Sequence, residues 1–240
     1  MSTYTVKLES RQEIAHGTMA FHFQKPAGFH FRAGQFIDCM QIEAAETDAE
    51  GNTRSFSIAS APYEKDIMIV TRMRDTAFKR ILGTMPIGSK VNIQGPSGGL
   101  TLHDNPELPT VLLAGGIGIT PFRSIILQTI SERVPHHISL FYSNRRPEDA
   151  AFLEELSDLE KVNRNFKFIP TMTQPEQSTT SWQGERGPIT HVMLEKHLDH
   201  VAAPIYYIAG PPKMVGAMQK ILNDAGISRG YVRVEQFDGY

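Results

Sequence analysis

Residues 115–121 read Gly-Gly-Ile-Gly-Ile-Thr-Pro and lie between an apolar segment typical of a buried strand and a segment with helical periodicity. Glycines at such a junction let a ligand approach the backbone, and the first turn of a helix offers free N–H groups to a phosphate. Thr120 is predicted as the N-cap and Pro121 as the first helical residue. The pattern predicts a phosphate-binding loop, and a purely structural turn is the alternative.

A second pattern is Arg54-Ser55-Phe56-Ser57, placed on a predicted strand. A guanidinium can hold a diphosphate through two hydrogen bonds, and the Ser57 hydroxyl can bind the rim of a planar heterocycle. Arg54 and Ser57 point to opposite faces of a regular strand, so a ligand that contacts both must lie along the strand end or wrap its edge. The alternative is a solvent-facing arginine on a half-buried strand.

Two weaker patterns follow later in the chain. Gly210 and Pro211 come after the apolar segment 205–209, and ligands bind at the carboxyl ends of strands in open α/β sheets. The alternative is a proline pair that simply ends the strand. The final residues, 235–240, combine Glu235 with Phe237 and Tyr240, although such tails often fray.

The hydrophobic periodicity predicts the elements that position these residues. Up to about residue 102, short alternating runs predict an antiparallel β-barrel or sandwich with one helix at 76–83. From residue 109 onward, strands alternate with helices, as in a doubly wound α/β domain. Helices are expected at 121–130, 147–159, 191–197 and 212–225, and strands at 110–114, 138–142, 166–171, 205–209 and 231–237. We predict domains over 1–104 and 105–240.

The composition narrows the class of protein. The chain has 240 residues, 40% hydrophobic and 21% charged, which is typical of a globular protein. A net charge of −2 gives no support for nucleic-acid binding. The one cysteine, Cys39, cannot form an internal disulfide or hold an iron–sulfur cluster, so we expect a cytoplasmic location. No apolar stretch is long enough for a membrane span, and the irregularly spaced histidines of 191–200 predict no metal site.

Taken in order, these motifs resemble those of the ferredoxin–NADP reductase superfamily, and the resemblance covers almost the whole chain. Residues 54–57 are similar to its R-x-[YF]-S flavin motif, and residues 33–36 to the P-G-Q-[YF] strand before it. Residues 115–121 are similar to its G-G-x-G-x-T-P loop, and Gly210-Pro211 to its C-G-P motif. The resemblance implies an all-β, six-stranded antiparallel flavin-binding barrel followed by an α/β Rossmann-like NAD(P)-binding domain.

The resemblance also implies a role for each matched position. In the family the arginine contacts the flavin pyrophosphate, the serine binds near flavin N5, and a carboxylate and an aromatic ring close over the flavin. We therefore predict catalytic roles for Ser57, Glu235 and Phe237. The residues predicted to bind FAD or NAD(P)H are Arg54, Ser55, Phe56, Ser57, Val70, Thr71, Arg72, Thr76, Ala77, Gly115, Gly116, Gly118, Thr120, Pro121, Ser143, Arg145, Gly210, Pro211, Met214, Phe237 and Tyr240.

The chain departs from the family pattern in three ways. Ala209 replaces the cysteine of the C-G-P motif, so no thiol assists hydride transfer. A segment with Arg72 and Arg74 replaces the second, glycine-rich FAD motif, and Thr76 and Ala77 are expected to present N–H groups where the helix starts. The family's cluster-bearing ferredoxin module has no counterpart in a sequence with one cysteine, so the redox partner is expected to be another molecule.

The expected function is an FAD-dependent NAD(P)H oxidoreductase that passes electrons to a separate carrier, such as ferredoxin, flavodoxin or an oxygenase component. Ser143 and Arg145, after the second Rossmann strand, favour the 2′-phosphate of NADPH, while Glu148 and Asp149 leave NADH open. Two alternatives stay open: an NAD(P)H:flavin reductase that uses free flavin as a substrate, and a nucleotide-binding regulatory subunit without turnover, which Ala209 favours.

Overall fold

A computed structural model of the chain describes residues 2–42 and 44–237. Within these residues the chain forms one antiparallel and one parallel sheet, each with six strands. The antiparallel sheet lies in the N-terminal part of the chain and the parallel sheet in the C-terminal part, as the change in hydrophobic periodicity predicts. No helix in these ranges is both long enough and apolar enough to cross a lipid bilayer.

The antiparallel sheet has the strand order β4-β3-β6-β1-β2-β5. β1 pairs with β6 through its first half and with β2 through its second half. Beyond β4, the Ala59 N–H donates to the Met68 carbonyl oxygen of β5 at 2.8 Å, and this bond closes the sheet into the predicted barrel. The elements are β1 (Ser2–Ala15), β2 (Thr18–Gln24), β3 (Phe36–Gln41), β4 (Thr53–Ser57), β5 (Asp66–Arg72), α1 (Ala77–Thr84) and β6 (Lys90–Ser97).

Large apolar side chains fill the barrel, among them Phe21, Phe23, Ile37 and Ile93, none of which has any exposed surface. Each such side chain stabilises the fold by roughly 1.5–3 kcal/mol relative to leaving it in water. Cys39 lies among them on β3, and burial raises the pKa of its thiol to about 12. The cysteine is therefore part of the barrel core.

The parallel sheet has the strand order β10-β9-β8-β7-β11-β12. The order reverses between β7 and β11, so the connections that follow these two strands run to opposite faces of the sheet. Ligands in such sheets usually bind outside the carboxyl ends of the strands at this switch point. The elements are β7 (Thr110–Gly115), α2 (Ile119–Ser131), β8 (Ile138–Asn144), α3 (Leu153–Val162), β9 (Phe166–Met172), β10 (Glu185–Arg186), α4 (His191–His197), β11 (Ile205–Gly210), α5 (Pro212–Asp224) and β12 (Val232–Gln236).

Both faces of this sheet are covered. Leu112 and Ala114 of β7 belong to the apolar cluster that includes residues of α2 and α3, while Val111 and Leu113 face the cluster that includes residues of α4 and α5. A strand buried on both faces needs a continuous apolar sequence, which residues 110–114 have. The predicted doubly wound α/β arrangement is confirmed.

The start of α2 differs from the sequence prediction. The helix begins at Ile119, after a 3₁₀ turn over Gly116–Gly118, and its N-cap is Gly118. Thr120 is therefore inside the first turn, where its hydroxyl donates back to the Ile117 carbonyl oxygen at 2.9 Å. The prediction of Thr120 as N-cap and Pro121 as first helical residue was wrong, because the 3₁₀ turn continues directly into the helix.

The helix predicted over 147–159 is also different. A 3₁₀ turn occupies Pro147–Asp149, and α3 begins only at Leu153. Between them Phe152 has φ +61°, a left-handed conformation that interrupts the helix. The sequence prediction also missed β10, since two residues carry no periodicity. The antiparallel sheet ends at Ser97 and the parallel sheet begins at Thr110, and the boundary at 104/105 stays a prediction.

Candidate functional site

A cleft of about 770 Å³ lies along the seam between the two sheets. Its barrel wall comes from β4, β5 and the start of α1, and its α/β wall comes from the loop after β7 and from β12. This volume is within the usual range for sites that bind small molecules and cofactors. The lining residues are Phe36, Glu50, Arg54, Ser55, Phe56, Ser57, Val70, Thr71, Arg72, Arg74, Thr76, Lys79, Gly98, Gly99, Leu100, Ile117, Thr120, Arg233, Val234, Glu235, Gln236 and Phe237.

Four cationic side chains stand together on the barrel wall: Arg54, Arg72, Arg74 and Lys79. Burial, together with the nearby Arg74, lowers the pKa of Lys79 to about 8. The Arg72 Nε is buried and has no hydrogen-bond partner among the described residues. A concentration of positive charge with an unused donor favours a bound anion of high charge.

Arg54 is held by the loop that precedes β4. Its Nη2 donates to Asp48 at 2.8 Å and its Nε forms an ion pair with Glu50 at 3.0 Å, while Nη1 donates to carbonyl oxygens of the same loop. The other carboxylate oxygen of Asp48 accepts the Ala77 N–H, at the start of α1, at 3.2 Å. Thr76 is the N-cap of that helix. The Asp48 carboxylate thus lies between the Arg54 guanidinium and the N-terminus of α1. A phosphate would be well placed in the same position.

The two walls meet at Ser57 and Glu235. The Ser57 hydroxyl donates to the Glu235 carboxylate at 3.0 Å, although the residues lie on different sheets. Burial raises the pKa of Glu235, and the hydrogen bond from Ser57 offsets only part of this effect. Phe237 lines the same end of the cleft, and its N–H donates to the Gly210 carbonyl oxygen at 3.1 Å.

Two glycines of the loop after β7 have close neighbours, the backbone of β11 at Gly118 and the Met214 side chain at Gly115. A Cβ on Gly118 would lie 2.0 Å from the Ala209 carbonyl oxygen, and one on Gly115 would lie 2.2 Å from the Met214 sulfur. The turn that follows β7 therefore packs directly against the end of β11. Of this loop, Ile117 and Thr120 line the cleft.

A second cleft, of about 410 Å³, contains Arg145 of the nucleotide prediction. The Arg145 guanidinium is exposed and has no side-chain partner among the described residues. The two neighbouring acids are engaged: Asp149 pairs with Arg146 at 2.9 Å, and Glu148 accepts the Ser178 hydroxyl at 2.7 Å. The residues around this cleft are His16, Gly17, Arg72, Met73, Arg145, Arg146, Asp149, Gln174 and Gln177.

The structure brings together eleven of the predicted site residues around the interdomain cleft: Arg54, Ser55, Phe56, Ser57, Val70, Thr71, Arg72, Thr76, Thr120, Glu235 and Phe237. It places the following predicted residues outside the lining of that cleft: Ala77, Gly115, Gly116, Gly118, Pro121, Ser143, Arg145, Gly210, Pro211 and Met214. Tyr240 lies outside the described residues. In the described ranges no group of three or more His, Cys, Asp or Glu side chains is placed to hold a metal ion.

Sequence reasoning missed several lining residues, including Phe36, Lys79 and Arg233, as well as the segment 98–100. The glycine pair at 98–99, directly after β6, was the signal that could have indicated this segment. The signal for Lys79 was weaker: this residue lies on the first turn of α1, three residues after the N-cap Thr76.

The residues of the cleft fit the flavin nucleotide that the sequence motifs predict. The four cations suit a diphosphate, the buried Arg72 Nε has a hydrogen-bond donor to spare, and Ser57 offers a hydroxyl on the same wall of the cleft. Arg54, however, would have to exchange its bond to Asp48 for one to a phosphate. The NAD(P)H site is less defined, because the loop after β7 offers a nucleotide mainly backbone groups.

Comparisons with known proteins match both halves of the chain. Residues 5–102 match a family profile described as an oxidoreductase FAD-binding domain, and residues 112–220 match one described as an oxidoreductase NAD-binding domain. The reductase component of propane 2-monooxygenase from Mycolicibacterium smegmatis is 27% identical over 218 residues, which cover 89% of this chain and 61% of that protein. A subunit of the Na⁺-translocating NADH-quinone reductase from Methylococcus capsulatus is 30% identical over 202 residues, covering 78% and 49%.

Solved structures share the fold over nearly the full chain. The cytochrome P450 reductase GcoB from Amycolatopsis has a TM-score of 0.83 at 20% identity, with 98% of this chain and 70% of that chain covered. A ferredoxin–NADP⁺ reductase from Neisseria gonorrhoeae, solved with FAD and NADP, has a TM-score of 0.79 at 22% identity, with 98% of each chain covered. The present chain spans about half to three-fifths of the length of the two curated relatives above.

Proposed function

Since the chain belongs to the ferredoxin–NADP reductase-like oxidoreductases, which join an FAD-binding to an NAD-binding domain, we propose that it is an FAD-dependent NAD(P)H reductase. It passes electrons to a separate redox carrier protein. The observation that carries this proposal is the cleft between the two domains, lined by four cations on the barrel wall and by the Ser57–Glu235 contact between the walls.

Bound flavin supplies the chemistry, because it accepts a hydride from a reduced nicotinamide and gives up electrons one at a time. Arg54, Arg72 and Arg74 hold the diphosphate and so fix the flavin nucleotide along the barrel wall. Ser57 orients the ring through its hydroxyl. Glu235 fixes the orientation of the Ser57 hydroxyl by accepting its hydrogen bond. Because its pKa is raised, the Glu235 carboxyl retains a proton at a higher pH than an exposed glutamate does.

The α/β wall positions the nicotinamide nucleotide. Thr120 and the backbone of the loop 115–118 lie at the switch point, and Phe237 covers the cleft end beside Glu235. Its ring excludes water from the reacting atoms and must move when a nicotinamide approaches. The remaining predicted residues of this wall, Gly210, Pro211 and Met214, lie against Gly115 at the carboxyl ends of β7 and β11.

We propose NADPH as the preferred donor. The Ser143 hydroxyl and the Arg145 guanidinium, which has no side-chain partner in the described ranges, are available for a 2′-phosphate. Glu148 and Asp149 are held by their own partners and do not offer a free carboxylate to a ribose hydroxyl. Comparison of steady-state rates with the two nucleotides tests this, and a strong preference for NADH would contradict it.

The relatives support a carrier protein as the acceptor, since two of them are named as the reductase component or subunit of a larger system. The carrier is a ferredoxin, a flavodoxin or an oxygenase component. We also propose a cytoplasmic location, because a chain whose one cysteine is buried does not depend on an oxidising compartment.

The test starts from the visible spectrum of the purified protein after addition of FAD and gel filtration. The proposal expects flavin to stay with the protein and to be bleached by NADPH in an anaerobic stopped-flow experiment, with ferricyanide or a ferredoxin restoring the colour. Flavin that binds weakly and leaves on the column indicates the flavin-reductase alternative. Flavin that stays bound but is reduced by neither nucleotide indicates the regulatory subunit.

A further inference from the structure

A buried arginine joins the two domains beside the cleft. Arg123 is on α2, and only 8% of its side chain is exposed. Its Nη1 donates to the Ala59 carbonyl oxygen and to Glu64, both at 2.9 Å, and both acceptors are on the barrel. Its Nε and Nη2 donate to Glu155 on α3, at 2.8 and 2.7 Å. Two carboxylates pair with one buried guanidinium, whose planar fork fixes the direction of each bond.

An aromatic ring completes this arrangement. The Phe152 ring covers the Arg123 guanidinium, 4.9 Å from ring centroid to carbon, and also packs against the barrel cluster that contains Ala59 and Val70. Phe152 is the residue with φ +61°. A bulky residue keeps a left-handed conformation only where its surroundings hold it there, and strained residues of this kind concentrate at functional positions.

The position of these contacts along the chain links them to the cleft. Ala59 comes two residues after Ser57, on the barrel wall, and Arg123 comes three residues after Thr120, on the α/β wall. Neither Arg123 nor Glu64 lines the cleft itself. A small rotation of α2 against the barrel would therefore change the separation between Ser57 and Thr120 without removing any group that contacts a nucleotide.

We propose that Arg123, Glu64 and Phe152 form an interdomain clamp that sets the distance between the two walls and thereby the rate at which NAD(P)H reduces the flavin. In that step two electrons and one proton leave the nicotinamide and arrive at the flavin. Arg123 is a positioning residue, since it acts through the walls it joins. The clamp rests on the proposed function, because it needs both nucleotides to bind in the cleft.

A matched pair of variants separates positioning from stability. Glu64→Ala and Glu155→Ala each leave Arg123 with one carboxylate, but only the first breaks the ion pair between the domains. At saturating NADPH, the flavin reduction rate constant should fall about tenfold or more in Glu64→Ala and stay within about twofold of wild type in Glu155→Ala. The dissociation constant of FAD should be unchanged in both. Glu64→Gln, which keeps an acceptor, should show a smaller fall.

The apoprotein provides a second measurement. Small-angle scattering should give a larger radius of gyration for Glu64→Ala than for wild type or Glu155→Ala. Equal losses of rate in the two variants, or no loss in either, would overturn the clamp while leaving the proposed function intact. Wild-type protein that binds FAD but is reduced by neither nucleotide would instead refute the proposed function, and the clamp with it.

Discussion

The barrel wall of the cleft presents Arg54, Arg72, Arg74 and Lys79, whereas the loop after β7 contributes to the cleft only Ile117 and Thr120. The barrel wall offers long charged side chains from β4, from the end of β5, from the segment after it and from α1. The loop offers backbone, and glycine is required at position 118 because a Cβ there would lie 2.0 Å from the Ala209 carbonyl oxygen. Both regions suit nucleotides, the barrel wall through long charged side chains and the loop after β7 through its lack of them.

This difference predicts opposite responses to mutation. On the barrel wall, shortening a side chain should weaken binding and leave the fold intact, since the strands are held by the core behind them. On the α/β wall, lengthening a side chain by one carbon should damage the fold itself, since packing there is limited by backbone contacts.

The largest effect is expected for Gly118→Ala. The backbone at Gly118 has φ −58°, which alanine adopts freely, so the cost comes from the 2.0 Å approach of the new Cβ to the Ala209 carbonyl oxygen. We expect the free energy of unfolding to fall by about 3 kcal/mol or more, with loss of reduction by NADPH. Thermal unfolding measures this. The control Gly216→Ala meets no atom within 4 Å and should be neutral or slightly stabilising.

Arg54→Ala should act on ligand binding. Loss of a charge-assisted contact to a diphosphate costs about 2–3 kcal/mol, which is roughly 30- to 150-fold in the dissociation constant of FAD. Flavin fluorescence quenching on binding measures it. The control is Arg80→Ala: Arg80 pairs with Glu46 and Asp75 on the same domain but does not line the cleft. Equal weakening in the two variants would contradict a specific role for Arg54.

Asp48→Asn tests whether the loop competes with the ligand. Asp48 holds the two donors that a phosphate needs, and the hydrogen bond from Arg54 is the main cause of its lowered pKa. Removing its charge should tighten FAD binding by about threefold, an effect that salt should reduce. Glu46→Gln, in the same loop but paired with Arg80, is the control. Weaker FAD binding in Asp48→Asn would show instead that Asp48 orients Arg54 for the ligand.

The smallest effect is expected at the contact between the walls. Because burial raises the pKa of Glu235 above 4.5, the folded protein binds its proton more tightly than the unfolded chain does. The stability from this group is present below about pH 4.5 and is lost as the pH rises through the raised pKa. Glu235→Gln should therefore increase Tm at pH 8 by about 1–2 °C and leave it unchanged at pH 4. A decrease at pH 8 would indicate that the charged carboxylate stabilises the fold.

Much of the fold could be predicted because local pattern and tertiary environment agree. The continuous apolar run 110–114 is a central strand, and α4 has the bounds that periodicity predicts, His191–His197. The motif at 54–57 was also sufficient to predict residues on one wall of the cleft, since a strand end positions its neighbours together.

What could not be predicted depends on residues far apart in the chain. Arg123 has the sequence surroundings of an ordinary helical arginine, and only the fold brings Glu64 and Ala59 to it. Phe152 gives no local sign of a left-handed conformation, because the packing against the barrel imposes it. Asp48 was visible only as part of an acidic loop, and its bond to the start of α1 again required the folded chain.

The location of Cys39 has a practical consequence for experiments on domain movement. Its side chain is fully buried and its thiol pKa is raised to about 12, so thiol-reactive dyes should leave the native protein unlabelled. Two cysteines introduced on opposite lobes would then be the sole labelling sites. Fluorescence transfer between dyes at those sites would record the opening and closing of the molecule in solution without any change to the barrel interior.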